Sequence, residues 1–160
     1  MSKPIPDGYH TITPLFTFKD SQKAINFYKK AFGAEVLDFM PNPGGRGVMH
    51  ASIQIGNSIL MMGDEMPGTE NCSSKSAETL GNSPISLCVY VPNADAAFKQ
   101  AVAAGGTATM PVADMFWGDR AGSIKDPFGY SWMIATHTQD LTDEQIRKGA
   151  EAFFAQMAKK

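Results

Sequence analysis

A histidine in the first half of the chain lies where polar and apolar residues alternate. Between residues 48 and 55, the polar positions are His50, Ser52 and Gln54, and the residues between them are apolar. This alternation is typical of a strand with one face on the core, so the polar side chains are expected to face a site. Because an imidazole titrates near neutral pH, His50 is the predicted catalytic residue, as a general base or a hydrogen-bonding group. The alternative is an ordinary polar position on a half-solvated strand.

Residues Trp117 to Arg120 combine an aromatic ring, a glycine, a carboxylate and a guanidinium. A guanidinium binds a carboxylate or phosphonate through two parallel hydrogen bonds, and an aromatic face beside it favours a ligand with an apolar part. Trp117 and Arg120 are therefore predicted ligand-binding residues. In the alternative interpretation, Asp119 and Arg120 only stabilise their own loop by local hydrogen bonds.

The other histidines and one glutamate are further candidates. His10 and His137 have no partner at metal-ligand spacing, but His137 is expected on the same side of its strand as Met133, so it is predicted to contact a ligand. Glu65 follows the strand expected to pair with the strand of His50. His50 with Glu65 is therefore an alternative metal site, although acidic residues at a strand end are commonly part of a solvated turn.

These candidates must be positioned by a pattern of secondary structure that occurs twice. In each half the sequence predicts a strand, a polar helix cap, a helix ended by glycine, and further strands. A shift of 73 residues places Gly56 on Gly129 and Asp20 on Asn93, which indicates a duplication. The predicted strands are 11–18, 35–40, 48–55 and 58–62 in the first half, and 85–91, 107–110, 122–125 and 131–136 in the second. One helix is predicted between a cap at Asp20 or Ser21 and the stop at Gly33, and another at 94–104.

Two segments lie outside the duplication. Residues 64–83 are polar without an apolar period and are predicted to be a connecting loop. Near the C-terminus, Thr142 begins a capping box ahead of an amphipathic helix at 141–158. Its apolar stripe needs a partner surface, on the same domain or on a second subunit, and consists of Ile146, Ala150, Phe153, Phe154 and Met157.

Composition excludes several classes of protein. The chain has 160 residues, of which 43% are apolar, and 14 basic against 16 acidic side chains. Without a basic surplus, a nucleic-acid partner is not expected. No apolar run approaches the roughly 18 residues that span a bilayer, and none follows Met1 as a signal core, so a cytoplasmic protein without a membrane partner is predicted. Cys88 is expected to be a buried thiol, and Cys72 an exposed one in the connecting loop.

Several stretches resemble one known family. They are Gly8–Pro14, Phe27–Glu35, Met49–Ala51, Trp117–Arg120, Asp126–Trp132 and Ile134–His137. Together they are similar to the PhnB-like branch of the vicinal oxygen chelate superfamily, which includes glyoxalase I, extradiol dioxygenases, fosfomycin-resistance enzymes and bleomycin-binding proteins. The resemblance implies one α+β domain, residues 1–160, with two tandem βαβββ modules at 9–63 and 84–137. Their curved sheets would form a cup, commonly completed across a homodimer.

The resemblance also bears on metal binding. Superfamily enzymes hold a divalent metal with histidine or glutamate side chains from the first and last strands of the modules. The corresponding positions here are Thr13, Leu60, Ser86 and Met133, none of which is a good ligand for such an ion. No cofactor is therefore expected at the usual positions. A divalent metal is possible only with relocated ligands, such as His50 with Glu65.

The cup is expected to present apolar groups and a few hydroxyls, a mixture that suits a small organic ligand. Its expected lining also includes Thr17, Ser58, Cys88 and Ser131. The predicted ligand-binding residues are Thr13, Leu15, His50, Gln54, Leu60, Met62, Ser86, Tyr90, Trp117, Arg120, Met133 and His137. The leading hypothesis is a protein that binds a small hydrophobic or aromatic molecule. The alternatives are a metal-dependent lyase or dioxygenase-like enzyme that uses His50, and a non-catalytic interaction module.

Overall fold

The computed structural model describes residues 3–66 and 74–158 and contains two four-stranded sheets with flanking helices. The first module contains β1 (Leu15–Phe18), α1 (Ser21–Phe32), β2 (Glu35–Pro41), β3 (Val48–Ile55) and β4 (Ser58–Asp64). A short helix, α2 (Ala77–Leu80), precedes the second module. That module contains β5 (Ser86–Tyr90), α3 (Ala94–Ala103), β6 (Thr107–Asp114), β7 (Asp119–Lys125) and β8 (Ser131–His137), and α4 (Asp143–Met157) follows it.

Strand order confirms the tandem α+β fold. The first sheet runs β1-β4-β3-β2 and the second β5-β8-β7-β6, so each element has a counterpart at the same place. Even the helix caps correspond, because Asp20 accepts a hydrogen bond from the backbone nitrogen of Lys23 and Asn93 accepts one from that of Ala96. In both modules the cap oxygen satisfies an amide that the first turn of the helix leaves unpaired.

The two modules share a hydrophobic core. The ring of Phe16 on β1 lies 4.7 Å from that of Tyr130 in the second module. On α1, the ring of Tyr28 lies 5.3 Å from that of Trp132 on β8. Helices α1 and α3 also pack together. Because aromatic side chains bury large apolar areas, this shared layer fixes the sheets relative to each other.

A buried carboxylate reinforces the contact between modules. Asp126 is only 4% exposed and accepts hydrogen bonds from the Tyr28 hydroxyl (2.7 Å) and the Trp132 indole (3.0 Å). It also accepts from the backbone nitrogens of Phe128 and Tyr130. Four donors satisfy this buried group, as burial of a polar side chain requires.

Each sheet has one face on this core and an opposite face, called here the outward face. In the first sheet Ala51, Ile53, Leu60 and Met62 belong to the core. Leu60 and Met62, which were expected to face the cup, pair with Ile53 and Ala51 and share their core face, and their ligand-binding role stays a prediction. Phe16 pairs with Met62, so the alternate residues of β4 face outward, and a shift of one residue exchanges the two faces of a strand.

Several element boundaries differ from the predicted ones. Strand β1 begins at Leu15, because residues 11–14 are bent and Thr13 donates a hydrogen bond to the backbone oxygen of His10. Strand β7 begins at Asp119 because it pairs with β8 over its whole length. The predicted connecting loop contains α2, capped by the Ser76 hydroxyl. Cys72 lies outside the described residues.

Helix α4 docks on the turn between β6 and β7. Gly149 sits directly against Phe116, with no room for a Cβ, and the Phe153 ring lies 5.7 Å from that of Phe116. Part of the predicted apolar stripe thus has a partner surface in the same chain, whereas Phe154 and Met157 are exposed. Among the described helices, none is both long enough and apolar enough to cross a membrane.

Candidate ligand-binding site

A cavity of about 570 Å³ lies where the two modules meet. It is bordered by the segment before β1, the β3–β4 hairpin and the edge strand β5, and Phe32 and Trp132 line it from the core side. Most of the wall is apolar. Polar groups come from His10, Thr13 and Tyr90 among others. An apolar chamber with a few polar groups is typical of a small-molecule site.

The predicted site residues fall into several groups. Thr13, Leu60 and Tyr90 line the large cavity. Leu15, His50 and Met62 line a second, more open cavity of about 310 Å³. The remaining predicted residues are absent from the lining of both cavities as far as the described chain shows, and they are Gln54, Ser86, Trp117, Arg120, Met133 and His137.

A hydrogen-bonded cluster on the outward face of the second sheet is centred on Asp119. This carboxylate is 5% exposed and accepts hydrogen bonds from the Tyr90 hydroxyl and the Trp117 indole, both at 3.0 Å. His137 Nδ1 lies 2.8 Å from its other oxygen. His137 Nε2 lies 3.1 Å from the exposed carboxylate of Asp140. We call these five residues the Asp119 cluster.

Protonation in the Asp119 cluster follows from these contacts. Burial by itself would raise the pKa of the Asp119 carboxyl, but the hydrogen bonds from His137, Tyr90 and Trp117 hold that pKa below its usual value. Hydrogen bonds to Asp119 and then Asp140 raise the pKa of the His137 imidazole. A protonated imidazole between two carboxylates can donate from both nitrogens. The contact between His137 and Asp119 therefore favours the charged form of each residue.

Arg120 lies on the core side of β7 and does not meet Trp117 in a clamp. Its guanidinium binds Asp95 on α3 through Nε (2.6 Å) and Nη2 (2.8 Å), and Asp114 through Nη1 (3.0 Å). These bonds engage the guanidinium, hold its pKa high and tie β7 to α3 and β6. The partners of Arg120 thus lie on α3 and β6 and not in its own loop, and Arg120 and Asp119 are on opposite faces because successive residues of a strand point to opposite faces.

The turn before β7 is closely packed. Gly118 has φ +98°, and a Cβ there would overlap the backbone oxygen of Gln139. The Gly118 oxygen accepts hydrogen bonds from the backbone nitrogens of Thr138 and Gln139. The turn thus holds the segment after β8 beside it, and this segment carries Asp140 toward His137.

His50 belongs to a different cluster, on the outward face of the first sheet. Its Nε2 lies 3.2 Å from the Ser52 hydroxyl and 3.4 Å from Asp38. Ser52 is fully buried and shares a hydrogen bond with the Tyr9 hydroxyl at 3.1 Å. Serine and aspartate approach the same nitrogen, whereas in a catalytic triad the aspartate binds the other one. A catalytic role for His50 stays a prediction.

His50 and Glu65, the alternative metal pair, bond to different partners and not to each other. One oxygen of Glu65 accepts from the Ser76 backbone nitrogen (2.6 Å) and the other from the Thr79 hydroxyl (2.9 Å). These bonds lower the pKa of Glu65, although burial opposes them by raising it. The carboxylate therefore anchors the start of α2.

The four positions that correspond to superfamily metal ligands do not fit a divalent ion. Thr13, Ser86 and Met133 supply no imidazole or carboxylate, and Leu60 is a buried hydrocarbon in the core. Within residues 3–66 and 74–158, no three histidine, cysteine, aspartate or glutamate side chains are grouped as a metal site would require. The chain thus departs from the superfamily pattern in its own donor set.

Two features of the site were not predicted. The expectation that Cys88 is a buried thiol is wrong, because Cys88 lies exposed on the outward face of an edge strand. The pairing of Asp119 with His137 was also missed, although a signal existed. Once the turn after Lys125 pairs that residue with Ser131, antiparallel register places Asp119 opposite His137.

Comparisons of sequence agree with the fold. Residues 10–134 match the model of the Glyoxalase/Bleomycin resistance protein/Dioxygenase superfamily. The Mycobacterium tuberculosis protein Rv0887c is 32% identical over 136 residues, which cover 85% of this chain and 79% of that protein. Protein YjdN of Escherichia coli is 28% identical over 151 residues, covering 82% of this chain and 98% of YjdN.

Solved structures show the same architecture. TioX from Micromonospora sp. ML1 superposes with a TM-score of 0.61 at 24% identity, covering 80% of this chain and 98% of TioX. A PhnB protein from Bacillus cereus gives 0.60 at 21% identity, with 79% and 99% covered. These two likenesses concern the fold. Taken with the family match over most of the chain, they show that this protein belongs to the glyoxalase/bleomycin resistance protein/dioxygenase superfamily.

Proposed function

We propose that this protein binds a small hydrophobic or aromatic molecule in the cavity between its modules, without a metal at the usual superfamily positions. The observation that carries the proposal is the cavity itself. Its volume of about 570 Å³ lies within the roughly 300–1,000 Å³ of small-molecule sites, and its wall is mainly apolar.

The wall suits an aromatic ligand. Phe32 and Trp132 offer ring faces from the core side, and Leu87 adds aliphatic surface. Burying a ligand ring against these groups is favourable because it removes apolar area from water. The hydroxyls of Thr13 and Tyr90 would then orient the polar part of the ligand.

A homodimer forms part of the proposal. The sheets expose large apolar side chains that a monomer would leave in water, including Leu15, Phe39, Met40 and Tyr90. Exposed apolar patches commonly mark an interaction surface. A second copy on these faces would enclose the outward-facing residues, so that the remaining ligand-binding candidates Gln54, Ser86 and Met133 contribute there. Sedimentation equilibrium tests this point, and a monomer at micromolar concentration would contradict it.

Binding is tested with N-phenyl-1-naphthylamine, a neutral aromatic probe whose fluorescence rises in apolar surroundings. We expect saturable binding of one probe per chain. Cys88→Trp should remove it, because Cys88 lines the cavity and the indole would fill it. Thr109→Trp is the matched control, since Thr109 is exposed on β6, the other edge strand of the same sheet, and is not among the cavity-lining residues. Equal binding by both variants and wild type would contradict the proposed site.

The metalloenzyme alternative is tested by elemental analysis. Protein re-equilibrated with zinc, manganese, nickel and iron(II) ions, then passed through a desalting column, should retain well under one equivalent of any of them. Retention of one equivalent that His50→Ala abolishes would overturn the metal-free proposal and favour a relocated site. The interaction-module alternative would gain if no probe bound and substitution of the exposed Phe154 on α4 changed the state of association.

A further inference from the structure

In the Asp119 cluster, the outer nitrogen of His137 has only an exposed partner, whereas Asp119 is buried and fully bonded. The Asp119 carboxylate is buried and is bonded by three side chains, so its position is fixed. His137, by contrast, has a half-exposed side chain. Its outer nitrogen, Nε2, bonds only to Asp140 among the contacts described, and the Asp140 side chain is fully exposed.

This arrangement orients an imidazole toward solvent. A buried carboxylate on Nδ1 holds the ring in one orientation and stabilises its protonated form. The titratable groups that face His137 are Asp119 from β7, Tyr90 from β5 through Asp119, and Asp140 from the segment after β8. Both direct neighbours are acidic and favour the protonated form of His137, in which Nε2 is an N–H donor directed to the protein surface.

The partner of Nε2 is a carboxylate on an exposed segment. An ion pair between exposed groups contributes little stability, because water competes for both partners. An external carboxylate of similar chemistry can therefore replace Asp140 at small cost. A single N–H donor with one positive charge matches a carboxylate, whereas a phosphate dianion calls for more donors, and the nearby Arg120 is engaged by Asp95 and Asp114.

The Asp119 cluster is also connected to the cavity. Tyr90 lines the cavity, and its hydroxyl bonds to the same carboxylate that holds His137. His137 itself does not line the cavity, so a ligand ring beside Tyr90 would have to extend its substituent past Tyr90 to reach His137. No other titratable pair among the described residues combines a buried orienting carboxylate with a solvent-facing imidazole nitrogen in this way.

We propose that His137 binds the carboxylate of a small aromatic acid, and that Asp140 occupies this position until the ligand displaces it. The inference rests on the proposed function and names the class of ligand. In it, Asp119 is a positioning residue and His137 a binding residue. Asp140 acts as an internal competitor, so its removal should strengthen binding.

The test compares 2-naphthoic acid with 2-naphthamide, which share one ring system and differ in charge. Titration calorimetry at pH 7 should show the acid binding about five- to ten-fold more tightly than the amide, the range expected for a charge-assisted hydrogen bond at a partly exposed site. His137→Gln should reduce the affinity for the acid to that for the amide and leave the amide unchanged. Glutamine is uncharged and close to histidine in size, so the variant removes the charge and is expected to fold.

Asp140→Asn distinguishes displacement from a purely structural bond. We expect about two- to five-fold tighter binding of the acid, because the competing charge is lost, and no change for the amide. Asp114→Asn is the matched control, since Asp114 is an exposed carboxylate that pairs with Arg120 on the other side of the sheet. It should change neither affinity.

The outcomes separate this inference from the proposed function. Equal binding of acid and amide in wild type, or an acid affinity unaffected by His137→Gln, would overturn the inference while leaving the binding function standing. Unchanged or weaker acid binding by Asp140→Asn would overturn the displacement step and hence the inference as stated. Binding of neither compound would contradict both proposals.

Discussion

The outward faces of the two sheets each carry a histidine, but the surroundings of these histidines differ. On the first sheet, His50 contacts a buried serine hydroxyl that is shared with Tyr9 of the N-terminal segment. On the second sheet, His137 is held by the buried carboxylate of Asp119, and its outer nitrogen faces solvent. Both histidines have a carboxylate neighbour, Asp38 for His50 and Asp119 for His137, but of these two carboxylates only Asp119 is buried.

This difference arises although both sheets have the same strand order. The N-terminal segment packs on the outward face of the first sheet, where Ile59 and Ser52 are buried and Gly8 approaches Ile59. On the second sheet Tyr90 and Cys88 stay exposed. A duplicated scaffold therefore supports two unlike surfaces, because the chemistry depends on the side chains at strand ends and on what covers them.

The largest expected effect comes from Asp126, which helps to fix the two sheets relative to each other. Asp126→Ala leaves the Tyr28 hydroxyl, the Trp132 indole and two backbone amides without their acceptor. We expect the free energy of unfolding to fall by about 4 kcal/mol, as for loss of a buried charged acceptor. Urea denaturation measures it. Asp114→Ala, at an exposed carboxylate, should cost less than about 1 kcal/mol.

The turns before β3 and β7 provide a second contrast. Gly118→Ala should lower the free energy of unfolding by about 3 kcal/mol, because positive φ and overlap with Gln139 act together. Gly45→Ala should cost only about 1 kcal/mol, since Gly45 also has positive φ but has open space for a Cβ. Thermal unfolding of both variants checks this order. Equal losses would show that the close packing of Gly118 against Gln139 adds nothing to the cost of positive φ.

The pH dependence of stability should distinguish the two histidines. The raised pKa of His137 gives stability that is present below its unfolded pKa and is lost as pH rises through the folded pKa. The lowered pKa of Asp119 gives stability that is lost as pH falls through its folded pKa. The contribution of the pair is therefore greatest between about pH 4 and about pH 6.5, the unfolded values for aspartate and histidine.

Asp119→Asn tests this pH dependence directly. The variant should lose the extra stability in that window, and the His137 ring signals should titrate at lower pH in NMR spectra. His50→Gln serves as the control and should leave the His137 titration unchanged. A His137 titration that Asp119→Asn does not shift would remove the distinction between the two faces.

The smallest expected effects come from two tyrosine hydroxyls. Tyr90→Phe removes a hydrogen bond to a carboxylate and should cost about 1 kcal/mol, whereas Tyr9→Phe removes a bond to a neutral hydroxyl and should cost about 0.5 kcal/mol. Chemical denaturation of both variants, each measured at pH 5.5, compares them. The reverse order would indicate that the hydrogen bond of Tyr9 to Ser52 stabilises the protein more than that of Tyr90 to Asp119.

Much of the fold could be predicted from local patterns. Alternation along β3, the helix caps Asp20 and Asn93 and the capping box at Thr142 depend on neighbours within a few residues. The polar side chains of β3 occupy the outward face, as the alternation indicates. The face of β4 was harder to assign, because this strand is mostly apolar on both sides and such a run does not indicate which side meets the core.

The candidate site was predictable only in part. Tyr90, Trp117 and His137 were singled out, yet the residue that joins them, Asp119, was assigned only a local role. Arg120 was expected at the ligand but lies on the core side. Strand β7 was predicted to begin at residue 122, but it begins three residues earlier, at Asp119. The pairing of Asp119 with His137 was therefore missed, since register decides which strand residues are opposite each other.

The sequence by itself determined the duplicated architecture and the alternation of each half, because these follow from residue type and spacing. Tertiary structure alone decided which side chains meet. Tyr28 reaches Asp126 from 98 residues away, and Asp119 reaches His137 across a hairpin. Such contacts depend on strand register and on the packing of one module against the other, and local propensity contains neither.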